Sequence, residues 1–125
     1  VVMQVFFPPY LDVQDSIASI SDVADHIEHI RDVAGINHVG LGSDFDGIPS
    51  YVDGLEDVST FPALFMELAR RGWSDEDLGK LAGENLLRVL RQSEATAMRL
   101  RRERSPSTRT IEEMDRGRQP LRSPP

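Results

Sequence analysis

Cysteine is absent from this 125-residue chain, which removes disulfide frameworks and thiolate metal sites and leaves the redox compartment open. No apolar run approaches the roughly 20 residues that span a bilayer, and the first residues lack the positive stretch of a secretory leader. Transmembrane anchoring through these residues is therefore not expected, and the location of the protein stays open. Basic residues are scarce in the first three-quarters. Up to Arg91 there are 6 basic and 16 acidic side chains, whereas from Gln92 onward there are 8 basic and 5 acidic. An acidic body of that kind excludes a nucleic-acid-binding core, because neutralising phosphates takes clustered Lys and Arg. It leaves cation binding open.

What is present reads as parallel α/β structure. Val1-Val2-Met3-Gln4-Val5-Phe6-Phe7 is continuously apolar and β-prone and is stopped by Pro8-Pro9, as in a buried strand. After a polar connection from Asp12 to Ser19, Ser21 is placed to cap a helix with Asp22 and Asp25 in its first turn. Val23, Ile27, Ile30 and Ala34 share one face of it, and Gly35 ends it. A second strand, Ile36 to about Gly42, follows at once, and a crossover of this length suits parallel pairing. Its glycines at 40 and 42 allow close backbone approach.

Gly47, Pro49 and Asp53-Gly54 mark a loop from Asp44 to Thr60. A helix is expected from Pro62 to about Arg71, with Leu64, Phe65, Leu68 and Ala69 facing inward and Gly72 beyond it. Ser74 opens a short helix ending near Gly83. A last helix starts near Asn85 with Leu86, Leu87, Val89 and Leu90 to bury. Residues 1–91 thus form the ordered segment. Residues 92–125 are expected to extend the helix to about Arg104 and then to form a disordered Arg/Ser/Pro-rich tail, where Ser105 and Ser123 each precede proline. Two parallel strands leave two open edges. With a start inside an apolar run and no initiator Met, the sequence is expected to be part of a longer chain or to meet a partner.

The chemistry-bearing candidates are Asp44 and Asp46. An arbitrary Asp-x-Asp-Gly is ordinarily a turn held by its own carboxylates. Here the pair closes an apolar strand, the place where parallel α/β folds, and barrels above all, put their catalytic groups. A carboxylate there can position a water and move its proton. A calcium loop of the EF-hand type is excluded, because Gly47 falls fourth where that loop needs its glycine sixth. A phosphatase of the haloacid dehalogenase type also places Asp-x-Asp-Gly after a strand, with the first Asp as nucleophile, but Ile48 stands where Thr usually follows. His26 and His29 share a helix flank and could in principle hold a metal, although surface hydrogen bonding is the ordinary role of such a pair. His38 reads as a structural histidine inside the second strand, and Trp73 as packing at a helix end. A non-enzymatic binding module, engaging a partner through the sheet edge and the basic tail, is the other reading the residues allow.

Five strings in order carry a more specific signal: Asp25-His26-Ile27-Glu28-His29-Ile30, His38-Val39-Gly40-Leu41-Gly42-Ser43-Asp44-Phe45-Asp46-Gly47, Gly54-Leu55-Glu56-Asp57-Val58, Leu68-Ala69-Arg70-Arg71-Gly72-Trp73 and Asn85-Leu86-Leu87-Arg88-Val89. With them the chain resembles the membrane (renal) dipeptidases, the M19 metallopeptidases, from Val1 to about Arg91. The resemblance implies the carboxyl-terminal part of a (β/α)8 TIM barrel of the metal-dependent hydrolase type. It also implies a two-zinc site that hydrolyses dipeptides and a possible homodimer. In that family an aspartate ending the last barrel strand lies beside the metals, handles a proton and meets the amino end of the substrate. The role falls on Asp44, with Asp46 in support. The family's zinc-ligand motifs, a His-x-Asp, a bridging Glu and two later histidines, have no match in this sequence, so no metal ligand is assigned and the chain is expected to be inactive alone. Val5 also stands where the family commonly has Asn.

Overall fold

The computed structural model describes residues 1–11 and 18–115, and the chain divides into two compact units, Val1–Gln92 and Ser93–Pro125. The first unit is built on two parallel strands, β1 (Val2–Val5) and β2 (Val39–Ser43), joined by a helical crossover. Val2, Met3 and Gln4 face Val39, Gly40 and Leu41, and then Val5 pairs with Ser43, so that Gly42 is an extra residue in β2. Parallel pairing is as expected from the sequence. The two glycines lie under Met3: a Cβ at Gly40 would meet its sulfur at 2.7 Å, and one at Gly42 its Cβ at 2.8 Å. The Met3 side chain fills the room that the missing Cβ atoms leave.

Both strands are shorter than their apolar runs suggest. Pro8–Leu11 turns into a single helical turn, α1, because a proline at the start of a turn gives up no needed N–H. Ile36–His38 forms a 3₁₀ turn instead of the start of β2, with the His38 N–H donating to the Gly35 carbonyl at 3.0 Å. His38 is accordingly exposed and not inside the strand. The reason lies 46 or more residues away. Asn85, 2% exposed, donates from Nδ2 to the Ile36 carbonyl at 2.7 Å and to the Val39 carbonyl at 2.9 Å. Arg88 adds a bond to the Asn37 carbonyl at 2.6 Å.

Asn85→Ala leaves those two carbonyls without their donor. An unsatisfied buried polar group costs about 1–3 kcal/mol, and the expected result is a loss of that order in urea unfolding. An unchanged midpoint would show that water replaces the amide at no cost.

Helix α2 (Ile20–Ala34) begins two residues earlier than expected. Ser19, not Ser21, is its cap: the Ser19 hydroxyl accepts from the Asp22 N–H at 3.4 Å, and the Asp22 carboxylate accepts from the Ser19 N–H at 2.8 Å and hydroxyl at 2.7 Å. Both satisfy donors that the first turn would otherwise leave open. The Ser19 side-chain and backbone hydrogen bonds hold the Asp22 carboxyl below its ordinary value. A carboxyl depressed by folding adds stability above its unfolded pKa, near 4, and loses it as pH falls through the lower folded value. Ser19→Ala is expected to cost about 1 kcal/mol at neutral pH, and less at a pH where Asp22 is protonated. Melting the two proteins at both pH values tests this.

The core lies between the sheet and the pair α2 and α3 (Phe61–Arg70), where Phe6, Val23, Ile27, Val39, Val52, Leu55, Leu64 and Leu68 are fully buried. Arg71, one residue past α3, bonds Glu67 of that helix at 2.9 Å and ties it to α2 through Glu28 at 2.7 Å, the Ser21 hydroxyl at 2.7 Å and an ion pair with Asp25. Trp73 is buried as a packing residue, its Nε1 donating to Glu28 at 3.2 Å and its ring lying under the Arg31 guanidinium. The first and fourth strings on which the resemblance rests therefore meet in one ionic and aromatic clasp. It fixes α3 against α2.

Helix α4 (Asp75–Gly79), capped by Ser74, passes through a wide π-type turn (Lys80–Glu84) into α5 (Asn85–Glu103). Here the sequence reading needs correction. Leu86, Leu87 and Leu90, expected to be buried, are 50%, 46% and 52% exposed, while Asn85 beside them is 2% exposed and bonded to the Val39 carbonyl of β2. Val1 and, on β1, Val2 and Met3 are exposed as well. In the second unit, the expected disorder is interrupted by α6 (Ile111–Asp115), whose start is fixed by a reciprocal pair: the Thr110 N–H donates to Glu113 at 3.0 Å and the Glu113 N–H to the Thr110 hydroxyl at 3.3 Å. Ser123 and the connection from Asp12 to Ile17 lie outside the described residues. Among the described residues no helix is long and apolar enough to cross a membrane.

Candidate active site at the carboxyl end of the second strand

Strand β2 ends at Ser43, and the next four residues make a tight turn closed by the Gly47 N–H donating to the Asp44 carbonyl at 3.1 Å. Asp44 and Asp46 are the two non-glycine residues with positive φ among those described, at 67° and 66°. That left-handed backbone crowds a Cβ, and Asp is among the few side chains that enter it readily. Two such residues flanking one Phe need an anchor, and Phe45 supplies it. Its ring packs against Phe6 at 6.0 Å and Phe61 at 5.8 Å between centroids, and Phe6 in turn meets Phe61 at 5.7 Å. Tyr51 closes the cluster beside Phe45.

Phe6 follows the last residue of β1, and its N–H donates to the Ser43 carbonyl at 3.1 Å. Both strand ends therefore feed one aromatic plug, and the exposed carboxylates of Asp44 and Asp46 flank it on the outside. The loop beyond is firm. Ile48, Val52 and Leu55 are buried, the Asp53 N–H donates to the Ala18 carbonyl at 3.2 Å, and the Gly54 N–H donates to Glu56 at 2.8 Å. Gly54, with φ of 80°, makes the turn that brings Val52 and Leu55 inward.

The other sequence candidates sit elsewhere. His26 and His29 ride on α2, half-buried and exposed respectively, and His38 precedes β2 at the opposite end of the strand. From His38 to Asp44 the extended chain covers about 20 Å. Among the described residues no three His, Asp or Glu side chains converge closely enough to hold a metal ion. Asp44 and Asp46 bring two carboxylates, fewer than the three protein ligands of a catalytic zinc site. The donors here do not by themselves make such a site, and no metal-dependent step can be derived from them. What Asp44 can do is accept a proton and hold a cationic group. Sequence reasoning did not single out Phe45, Asn85 or Arg71, although each lies inside a string it quoted.

Two parallel strands joined by a helical crossover, with carboxylates following the carboxyl end of the second, place the chain in the parallel α/β class. The comparisons make that specific. Residues 1–104 match the membrane dipeptidase family, Peptidase family M19, and the chain belongs to that family. It is 48% identical over 101 residues to dipeptidase aclJ of Aspergillus oryzae, covering 80% of this chain and 24% of the relative. It is 50% identical over 78 residues to dipeptidase 3 of Homo sapiens, covering 62% and 16%. Among solved structures, a metallopeptidase from Rhodobacter sphaeroides, crystallised with a phosphinate mimic of the dipeptide L-Ala-D-Ala, superposes with a TM-score of 0.60 at 32% identity, covering 66% of this chain and 24% of that one. The M19 dipeptidase AC superposes with the same score and identity, covering 66% and 25%. The chain thus spans about a quarter or less of the length of these relatives. The fold class is that of their barrel, and the phosphatase reading of Asp44-Phe45-Asp46-Gly47 has no support in these matches.

Proposed function

We propose that this chain is the carboxyl-terminal wall of a zinc metallodipeptidase and carries one of its catalytic side chains, Asp44. The observation that supports the reading most directly is Asp44 itself: an exposed carboxylate in a left-handed turn at the carboxyl end of a parallel strand, within a segment matched to a dipeptidase family. In this reading Asp44 receives a proton during attack of water on the peptide carbonyl and returns one to the leaving amine, and it also faces the ammonium end of the dipeptide. Asp46 supports the turn and the local negative charge. The two zincs that would polarise the carbonyl belong to ligands outside these 125 residues.

Two preparations test this together. The 125-residue polypeptide supplied with zinc is expected to hydrolyse no dipeptide. A full-length barrel that carries this sequence is expected to hydrolyse dipeptides, to lose that activity to a chelator, and to regain it with zinc. Turnover by the short chain, or two tightly held zincs in it, would overturn the division of labour. A full-length barrel that ignores dipeptides would overturn the substrate class.

A further inference from the structure

The geometry points to Gly47 as the positioning residue of the Asp44 carboxylate, a role that goes beyond the dipeptidase reading above and rests on it for its catalytic consequence. Glycine in a turn is commonly explained by a positive φ. That explanation fails here, because the glycines in the left-handed region are Gly35, Gly54 and Gly72, and Gly47 is not among them. A left-handed backbone is therefore not what calls for glycine at 47.

What it does not fit is the carboxylate. A Cβ built on Gly47 would stand 2.6 Å from Asp44 Oδ1 and 3.3 Å from its Cγ, while the nearest backbone atom, the Asp44 carbonyl oxygen, would be at 3.4 Å, an ordinary contact. The clash thus falls on the far end of one short side chain and spares the turn. The Asp44 side chain, with its two rotatable bonds, is the part expected to give way. The Asp44 backbone cannot follow, since the Gly47 N–H to Asp44 carbonyl bond and the Phe45 ring hold it on both sides. Gly47→Ala should move the carboxylate and almost nothing else.

Catalytic groups tolerate little displacement. A misplacement of about 1 Å can cost roughly 10²-fold in rate. In the full-length barrel, Gly47→Ala is expected to lower kcat by about that factor, with KM changed less, and to leave zinc content and the unfolding midpoint where they were. In an Asp44→Asn background the same change should cost nothing further, because effects that act through one group do not add. A purely structural glycine would instead lower the midpoint and would lower activity by the same factor in either background.

Full activity of Gly47→Ala, or an equal loss in both backgrounds, would overturn the assignment. A second measurement keeps it testable if the barrel proves not to be a dipeptidase. In the 125-residue chain, the 13Cγ resonance of Asp44 is expected to shift in Gly47→Ala while that of Asp46 stays in place. An unchanged Asp44 resonance would overturn the proposal without bearing on the enzyme, whereas a shifted resonance in an inactive barrel would sink the dipeptidase reading alone.

Discussion

Asp44→Asn in a full-length barrel is expected to lower turnover on dipeptides by about 10²–10⁴-fold, the range that general acid–base catalysis supplies, and to leave bound zinc unchanged. Asn is the substitution that isolates the chemistry. It has the shape of Asp and shares its tolerance of a left-handed backbone, so a residue at φ of 67° keeps its turn and Phe45 keeps its seat. It loses the negative charge and the ability to carry a proton. If Asp44 also faces the ammonium group of the substrate, KM rises alongside the fall in kcat. Zinc content read by elemental analysis separates this role from that of a ligand. Parallel loss of zinc and activity would make Asp44 part of the metal site and contradict its assignment as the proton carrier. Unaltered turnover would reduce Asp-Phe-Asp-Gly to a structural turn.

The position of this site was legible in the sequence because it depends on chain order. An apolar run, a capped helix and a second apolar run can make parallel strands in few ways, and the residue that follows the second run must then lie at the strand's carboxyl end. The conformation of the site was not legible. Nothing local in Asp44-Phe45-Asp46-Gly47 requires two left-handed aspartates. That conformation is held by Phe45 reaching Phe6, which precedes it by 39 positions, and Phe61, which follows it by 16. The sequence marks Gly47 as a turn residue, whereas the space it leaves is the informative feature.

Element ends were missed for two different reasons. Ser19 precedes α2 and Ser21 lies in its first turn, and only Ser19 has a carboxylate three residues on, in Asp22. That spacing was available in the sequence. The late start of β2 was not, since it follows from Asn85 capturing the carbonyls of Ile36 and Val39. The exposed leucines of α5 show a third kind of limit. An apolar stripe tells which side of a helix can be buried, but not that a polar neighbour, Asn85, already occupies the contact with the sheet.

Phe6→Ala is the substitution expected to cost this fold most, about 3–5 kcal/mol. A ring with 0% exposure leaves a cavity where it touched Phe45 and Phe61 edge-on, and neither neighbour can close that space without moving the backbone that carries it. Phe45 is tied between two left-handed residues and Phe61 opens α3. Small domains have about 5–15 kcal/mol in all, so this variant should unfold at much lower urea. The adjacent Phe7 supplies the control. It is half-buried and packs edge-on against the exposed Tyr10, so Phe7→Ala should cost clearly less despite removing the same atoms. The pair Phe6→Ala and Phe61→Ala should couple by about 0.5–1.5 kcal/mol in a double-mutant cycle, as touching rings do. Equal costs at positions 6 and 7 would mean that the aromatic plug does not hold the strand ends together, and the rigid placement of Asp44 would then lack its physical cause.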